Sequence, residues 1–133
     1  MSSVVADTHA VVWFLTDPPS LSTAARSAMN ESIAAGFPVI VSTVTIVEIT
    51  YLTERLRLPA SLLPMMIAEL RRTASGLGVV PFSLEMAQAL DRVPRAIVPD
   101  MPDRMIAATA VHLGLPLVTA DHKIRAAPLT TIW

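Results

Sequence analysis

The sequence predicts an α/β fold, a three-layer sandwich around a central, mostly parallel sheet, on three observations. Short continuous apolar runs recur at 4–6, 39–42, 79–82 and 117–120, as expected of strands buried on both faces. Stretches of helical spacing separate them, and strands alternating with helices read as parallel βαβ units. Two of the runs end in an acid, Asp7 and Asp121, and open α/β sheets bind their ligands outside the carboxyl ends of the strands.

Each element follows from local chemistry. After the first strand, the apolar stretch 8–15 is helix-compatible and stops at Thr16-Asp17-Pro18-Pro19, a strong breaker. Ser20 or Ser22 caps a helix toward Ala35, which Gly36 and Pro38 end before the second strand at 39–42. Helices are expected over 44–56, closed by Pro59, and over 61–73, closed by a turn at Gly76 to Gly78. The third strand is read at 79–82, followed by a helix over 84–90 and a proline-rich loop from Pro94 to Pro102. A helix over 103–113 ends at Gly114, the fourth strand covers 117–120, a helical turn lies near 122–126, and 130–133 reads as an edge strand.

Composition narrows the function. A length of 133 residues fits one domain spanning 1–133. The chain has no cysteine, so any metal must be held by oxygen or imidazole. Although 53% of residues are hydrophobic, no apolar run approaches the ~18 residues of a membrane span. There is no basic leader followed by a long apolar stretch, so a cytoplasmic location is expected. The formal charge of -1 hides an asymmetry. With Asp7, Glu48, Asp100, Asp103 and Asp121 set aside, six acids face ten Lys and Arg, nine of them Arg, whose planar fork suits phosphate.

Those five acids are the candidates for chemistry. Glu48 stands among Val44, Val47, Tyr51 and Leu52, a stripe expected to face the core. A carboxylate there needs a cation, strong donors or a cleft, unless it is a boundary residue paired with Arg55. Asp103 opens Arg104-Met105-Ile106-Ala107-Ala108 as a natural N-cap, and Asp7 and Asp121 are also well placed to cap helices. Asp100 is a second ligand, a supporting group or simply solvated. Each acid alone has a structural reading. Together, two strand ends, one helix face and one helix start deliver acids to the same sheet edge. All-oxygen ligation suits Mg²⁺ or Mn²⁺ rather than zinc, and the chemistry expected of such a site is phosphate-ester or phosphodiester cleavage.

Asp7-Thr8-His9 followed by Val11-Val12-Trp13, the lone Glu48, the run from Asp103 to Ala110, and Thr119-Ala120-Asp121 together resemble a PIN-domain ribonuclease. The resemblance spans essentially the whole chain and is closest to the VapC-type toxins of toxin-antitoxin modules. It implies a metal-dependent endoribonuclease in which Asp7 and Asp103 bind Mg²⁺ or Mn²⁺, with Glu48 and Asp121 ligating directly or through water. It also implies that Thr119 orients a ligand and that Arg104 approaches substrate phosphate or pairs with Asp100. The implied partners are an RNA substrate, a cognate antitoxin protein and a second copy in a homodimer. The broad apolar stripe at Leu62, Leu63, Met65, Met66, Ile67 and Leu70 offers a contact face for such partners. One motif departs from the pattern. Related toxins often carry Asp-Pro-Phe-Asp-Arg where this chain has Asp100-Met101-Pro102-Asp103-Arg104.

Rival readings meet specific obstacles. A haloacid-dehalogenase-like phosphatase needs a second Asp two residues after the first, but position 9 is His. A response-regulator receiver expects an adjacent acid pair after its first strand, and Val4-Val5-Ala6 supplies none. Metal-free cleavage by His9, His112 and His122 would need imidazoles that the sequence leaves scattered. A housekeeping RNA-processing nuclease and a catalytically silent binding module of the same fold remain as alternatives.

Overall fold

The computed structural model of the chain describes residues 2–133. Five strands, β1 (Val4–Ala6), β2 (Val39–Ser42), β3 (Leu77–Val80), β4 (Leu117–Val118) and β5 (Thr131–Ile132), form one sheet in the order β3-β2-β1-β4-β5. Every pairing is parallel. The helices are α1 (Thr8–Thr16), α2 (Thr23–Ala34), α3 (Thr43–Glu54), α4 (Leu62–Arg71), α5 (Leu84–Gln88), α6 (Met101–Leu113) and α7 (His122–Arg125).

Side chains alternate across a strand, so β1 feeds two cores. Val4 and Ala6 pack with Ala10 and Val11 of α1, Met29 of α2, Ile49 of α3 and Met66 of α4. Val5 packs on the other face with Ile106 and Ala110 of α6 and Ile124 of α7. Helices thus cover both faces, giving the three layers expected. The chain winds from β1 through β2 to β3 on one side and returns to β4 on the other. The reversal point lies between β1 and β4, where a crevice opens at the strands' carboxyl ends.

Three local expectations change. The third strand begins at Leu77 and ends at Val80, two residues before the range expected from sequence. Gly78 belongs to the ladder opposite Ile40, where a Cβ would stand 3.2 Å from the Pro38 ring. Close approach therefore explains this glycine, and the missing N–H of Pro81 accounts for the early stop. The turn proper is at Gly76, at φ 79°.

The long C-terminal helix begins at Met101, capped by Asp100 rather than Asp103. Pro102 reads as a breaker in sequence but sits in the first turn, where an N–H has no helical partner anyway. On α3 only part of the stripe around Glu48 faces the core. Val47 and Tyr51 are 56% and 59% exposed, while Val44, Thr45 and Ile49 are buried. Gly114 closes α6 in the left-handed region, as expected.

Candidate functional site

A cleft of about 410 Å³ opens at the β1–β4 reversal point, lined by Asp7, His9, Trp13, Glu48, Asp100, Asp103, Ala120, Asp121 and His122. All five acids singled out by sequence line it, and among the described residues no Lys or Arg does. They come from four places: the end of β1, the outer face of α3, the start of α6 and the turn after β4.

Asp7 is buried beyond Ala6, and its Oδ1 accepts from the Ala10 N–H at 2.9 Å, capping α1. Asp121 caps α7, its Oδ1 accepting from Lys123 N at 2.9 Å and Ile124 N at 3.1 Å. Asp100 caps α6 through Oδ2, which accepts from Asp103 N at 3.2 Å. Each cap engages one carboxylate oxygen, and all three residues also line the cleft. Capping and cleft lining are therefore compatible uses of one side chain. Asp103 caps nothing and sits in the first turn of α6, where the helix dipole favours a negative charge.

Glu48 does not pair with Arg55; among the described residues the one ion pair joins Arg72 and Glu69. Instead Glu48 Oε1 accepts from the Thr8 hydroxyl at 2.5 Å. Thr8 Oγ1 lies 3.1 Å from Thr45 Oγ1. Since a hydroxyl carries one proton, Thr8 donates to Glu48 and receives from Thr45. Sequence reasoning missed this relay. Its signals were the hydroxyl next to Asp7 and the i, i+3 spacing of Thr45 and Glu48 on α3.

The charges press on one another. Burial pushes the Asp103 carboxyl up to about 7, helped by repulsion from Asp100, Asp121, Glu48 and Asp7. The carboxyl of Asp7 is also raised, first by burial and last by Asp121, with Thr119, the Ala10 N–H and His9 working against the shift. Thr119 is fully buried, and its Oγ1 accepts from Asp121 N at 3.1 Å. Its proton is thereby left to point elsewhere, consistent with its effect on Asp7.

Arg104 corrects an expectation, since it neither lines the cleft nor pairs with Asp100. Its Nε donates to Val93 O at 2.8 Å and its Nη2 to Leu90 O at 3.0 Å. Those carbonyls lie at the end of a short 3₁₀ segment, Ala89–Arg92, where Leu90 O also accepts from the Val93 N–H at 3.0 Å. His9 and His122 reach the cleft whereas His112 does not, so the imidazoles are not one assembled trio.

The donor set fits a hard divalent cation. It is all oxygen apart from two imidazoles, is dominated by acids, and includes a carboxyl that burial and its acidic neighbours make hard to ionise. Among the described residues no three acids or imidazoles form a closed metal cage. That is no obstacle for Mg²⁺, which keeps several waters and is held by one or two carboxylates.

Comparison with known proteins finds relatives along nearly the whole chain. The PIN domain family model matches residues 4–128. Ribonuclease VapC22 of Mycobacterium tuberculosis is 29% identical over 127 residues, covering 94% of this chain and 92% of that protein. The crystal structure of VapBC2 from Rickettsia felis, bound to a fragment of promoter DNA, superposes with a TM-score of 0.71 at 15% identity, covering 98% of this chain and 97% of that one. DNA-bound VapBC from Salmonella typhimurium gives 0.68 at 18% identity over 98% and 97% of the two chains. FitAcB from Neisseria gonorrhoeae gives 0.62 at 21% over 98% and 96%. At such identities the structural likenesses concern the fold.

Proposed function

This chain belongs to the PIN domain family, and on that premise we propose that it is a metal-dependent endoribonuclease acting as the toxin of a toxin-antitoxin pair. The observation that carries the reading is the meeting of five carboxylates in one cleft that, among the described residues, no Lys or Arg lines, with Asp103 raised by burial first and by the other four acids next. The ribonuclease named among its relatives supports the chemistry, and the neighbouring VapBC complexes support the pairing with an antitoxin.

In this reading Asp7 and Asp103 hold Mg²⁺ or Mn²⁺, with Glu48 and Asp121 binding directly or through water. When bound, the ion supplies activation of the attacking water and charge stabilisation at the departing oxygen. The remaining work belongs to the chain. Thr119 steadies Asp7, and the Thr45–Thr8 relay fixes Glu48 in one orientation with its carboxylate as acceptor. Asp100 keeps α6 positioned through its cap. Hydrolysis adds water to the phosphorus and releases the 3' oxygen with a proton, leaving a 5'-phosphate and a 3'-hydroxyl.

The antitoxin and a second copy of the chain would cover apolar surface. Val47 and Tyr51 on α3 and Leu56 after it are exposed, and Val47 lines an apolar groove with Ile46, Ile67 and Leu70. Among the described residues no helix is long and apolar enough to cross a membrane, and action in the cytoplasm, where RNA is met, belongs to the proposal.

The test compares wild type with Asp7→Asn. Asparagine is as good an N-cap as aspartate, so the variant should fold while losing a charged ligand. Wild type is expected to cut single-stranded RNA in Mg²⁺ and to stop in excess EDTA, with Asp7→Asn at least ~100-fold slower, the scale of losing a ligand or its support. Expressed in cells, wild type should arrest growth and the variant should not. Equal RNA integrity and equal growth in the two strains would favour the silent-module reading. Cleavage without growth arrest would favour housekeeping RNA processing.

A further inference from the structure

We propose that Trp13, flanked by His9 and backed by Trp133, is a nucleobase-stacking wall of the cleft, which holds an unpaired RNA base beside the carboxylates. The inference rests on the ribonuclease reading and adds a positioning residue to it.

The wall is built from α1 and the C-terminal strand. His9 and Trp13 are one helical turn apart, so they share a face of α1, and both line the cleft that Asp7 floors. Their ring centroids lie 5.6 Å apart, and that of Trp133 lies 5.8 Å from Trp13. Both spacings fall in the range of interacting aromatic rings. The planes are tilted at 49° and 53°, so neither neighbour covers the indole face to face. Trp13 and Trp133 are only partly buried against the core, and His9 is exposed. Trp13 thus packs against the core on one side and faces an acidic cleft on the other.

Electrostatics favours such a contact. A phosphodiester entering this cleft meets five acids and two imidazoles but, among the described residues, no Lys or Arg, so the usual source of nucleic-acid affinity, phosphate neutralised by Lys and Arg, is missing there. A bound divalent ion offsets only part of that charge. Stacking on an aromatic face is indifferent to the backbone's charge and tolerant of base identity, and unpaired bases are the parts of RNA that can splay onto such a surface. Trp13 therefore sets where along the strand the scissile phosphate comes to rest. It touches the base and leaves the chemistry to the acids.

Two measurements test this. The chain has two tryptophans, both in the wall, so intrinsic emission reports on it directly. Asp103→Asn protein in Mg²⁺, which is expected not to turn over, is titrated with oligoadenylate and with an abasic ribose-phosphate oligomer of equal length. Quenching by the first and not by the second is expected; equal quenching, or none, overturns the proposal. In cleavage assays Trp13→Leu should raise KM about 5- to 100-fold, the value of one base stack, with kcat changed far less, and Trp13→Phe should restore most of the loss. An unchanged KM in folded Trp13→Leu also overturns it. If Trp13→Leu does not fold, the emission comparison decides alone. A wild type that cleaves no RNA would remove the ribonuclease reading, while emission would still report whether a base stacks on the wall.

Discussion

Replacing Asp103 with asparagine should make the metal-free protein more stable at neutral pH while impairing its chemistry. The folded carboxyl is raised from 3.8 to about 7. Between those values the folded state keeps a proton that the unfolded chain has lost, so stability falls as pH rises. The stabilisation linked to this proton is complete below about pH 4 and is lost as pH rises through about 7. At about 1.4 kcal/mol per tenfold change, the shift sets a ceiling near 4 kcal/mol. Asp103 is only part-buried and solvent screens its neighbours, which lowers the expected effect to about 1 to 2 kcal/mol. For a chain of this size that is roughly 3 to 10 °C in Tm.

The assay is thermal unfolding in EDTA from pH 4.5 to 8. Wild type should lose stability across the range. Asp103→Asn should lose less and be the more stable protein at pH 8, less a few tenths of a kcal/mol for a weaker helix-dipole contact. Asp7, raised in the same direction, leaves some slope in both. Mg²⁺ added at pH 8 should recover the wild type by about 2.7 kcal/mol at 100 times its Kd and the variant by less. Parallel curves for the two proteins would refute the claim that the acids crowd Asp103.

Other consequences are local. Gly76→Ala should destabilise by about 2 to 4 kcal/mol in urea unfolding, because position 76 has φ 79° and a Cβ would lie 2.7 Å from Ile33 Cγ2; an unchanged midpoint would mean that Ile33 moves aside freely. Leu56→Gly should stabilise by about 1 kcal/mol, since Leu56 holds φ 60° while 92% exposed, and a lower Tm would show that its side chain contributes packing. Arg104→Met should cost about 1 to 3 kcal/mol by leaving the Leu90 and Val93 carbonyls without a charged donor. Its RNA cleavage per folded molecule should hold, and a raised KM in stable protein would restore Arg104 as a substrate contact.

The parts legible in the sequence were those set by neighbours along the chain. Asp7 and Asp121 stood out because a buried parallel strand is a short apolar run and an acid after it has few other places to go. Glu48 is marked in the sequence by a stripe that only partly faces the core. Its Val47 and Tyr51 are exposed, and Glu48 lies at the edge of α3, where Thr8 reaches it from another helix. That contact joins residues 40 positions apart, beyond any local pattern. Arg104 looked like a phosphate ligand because charge is visible in sequence and carbonyl direction is not. Its acceptors lie 11 and 14 positions away, on a segment that only the fold brings under α6. Trp13 had the same difficulty, since Trp133 arrives behind it from the far end of the chain.

The caps explain how one small chain keeps five carboxylates together. Asp7, Asp100 and Asp121 each stand at a helix start and give one oxygen to its free N–H groups. Helix starts carry partial positive charge, so α1, α6 and α7 offset part of the repulsion that raises Asp103. The strand-to-helix turn therefore serves folding and chemistry with the same side chain. Alanine at one of these positions removes both uses, about 1 kcal/mol of cap together with the ligand, and loss of activity then has two explanations. Asparagine keeps the cap and removes the charge. If the acids mattered only as caps, the asparagine variants would behave as wild type in every assay, and the alanine variants would fail through stability alone.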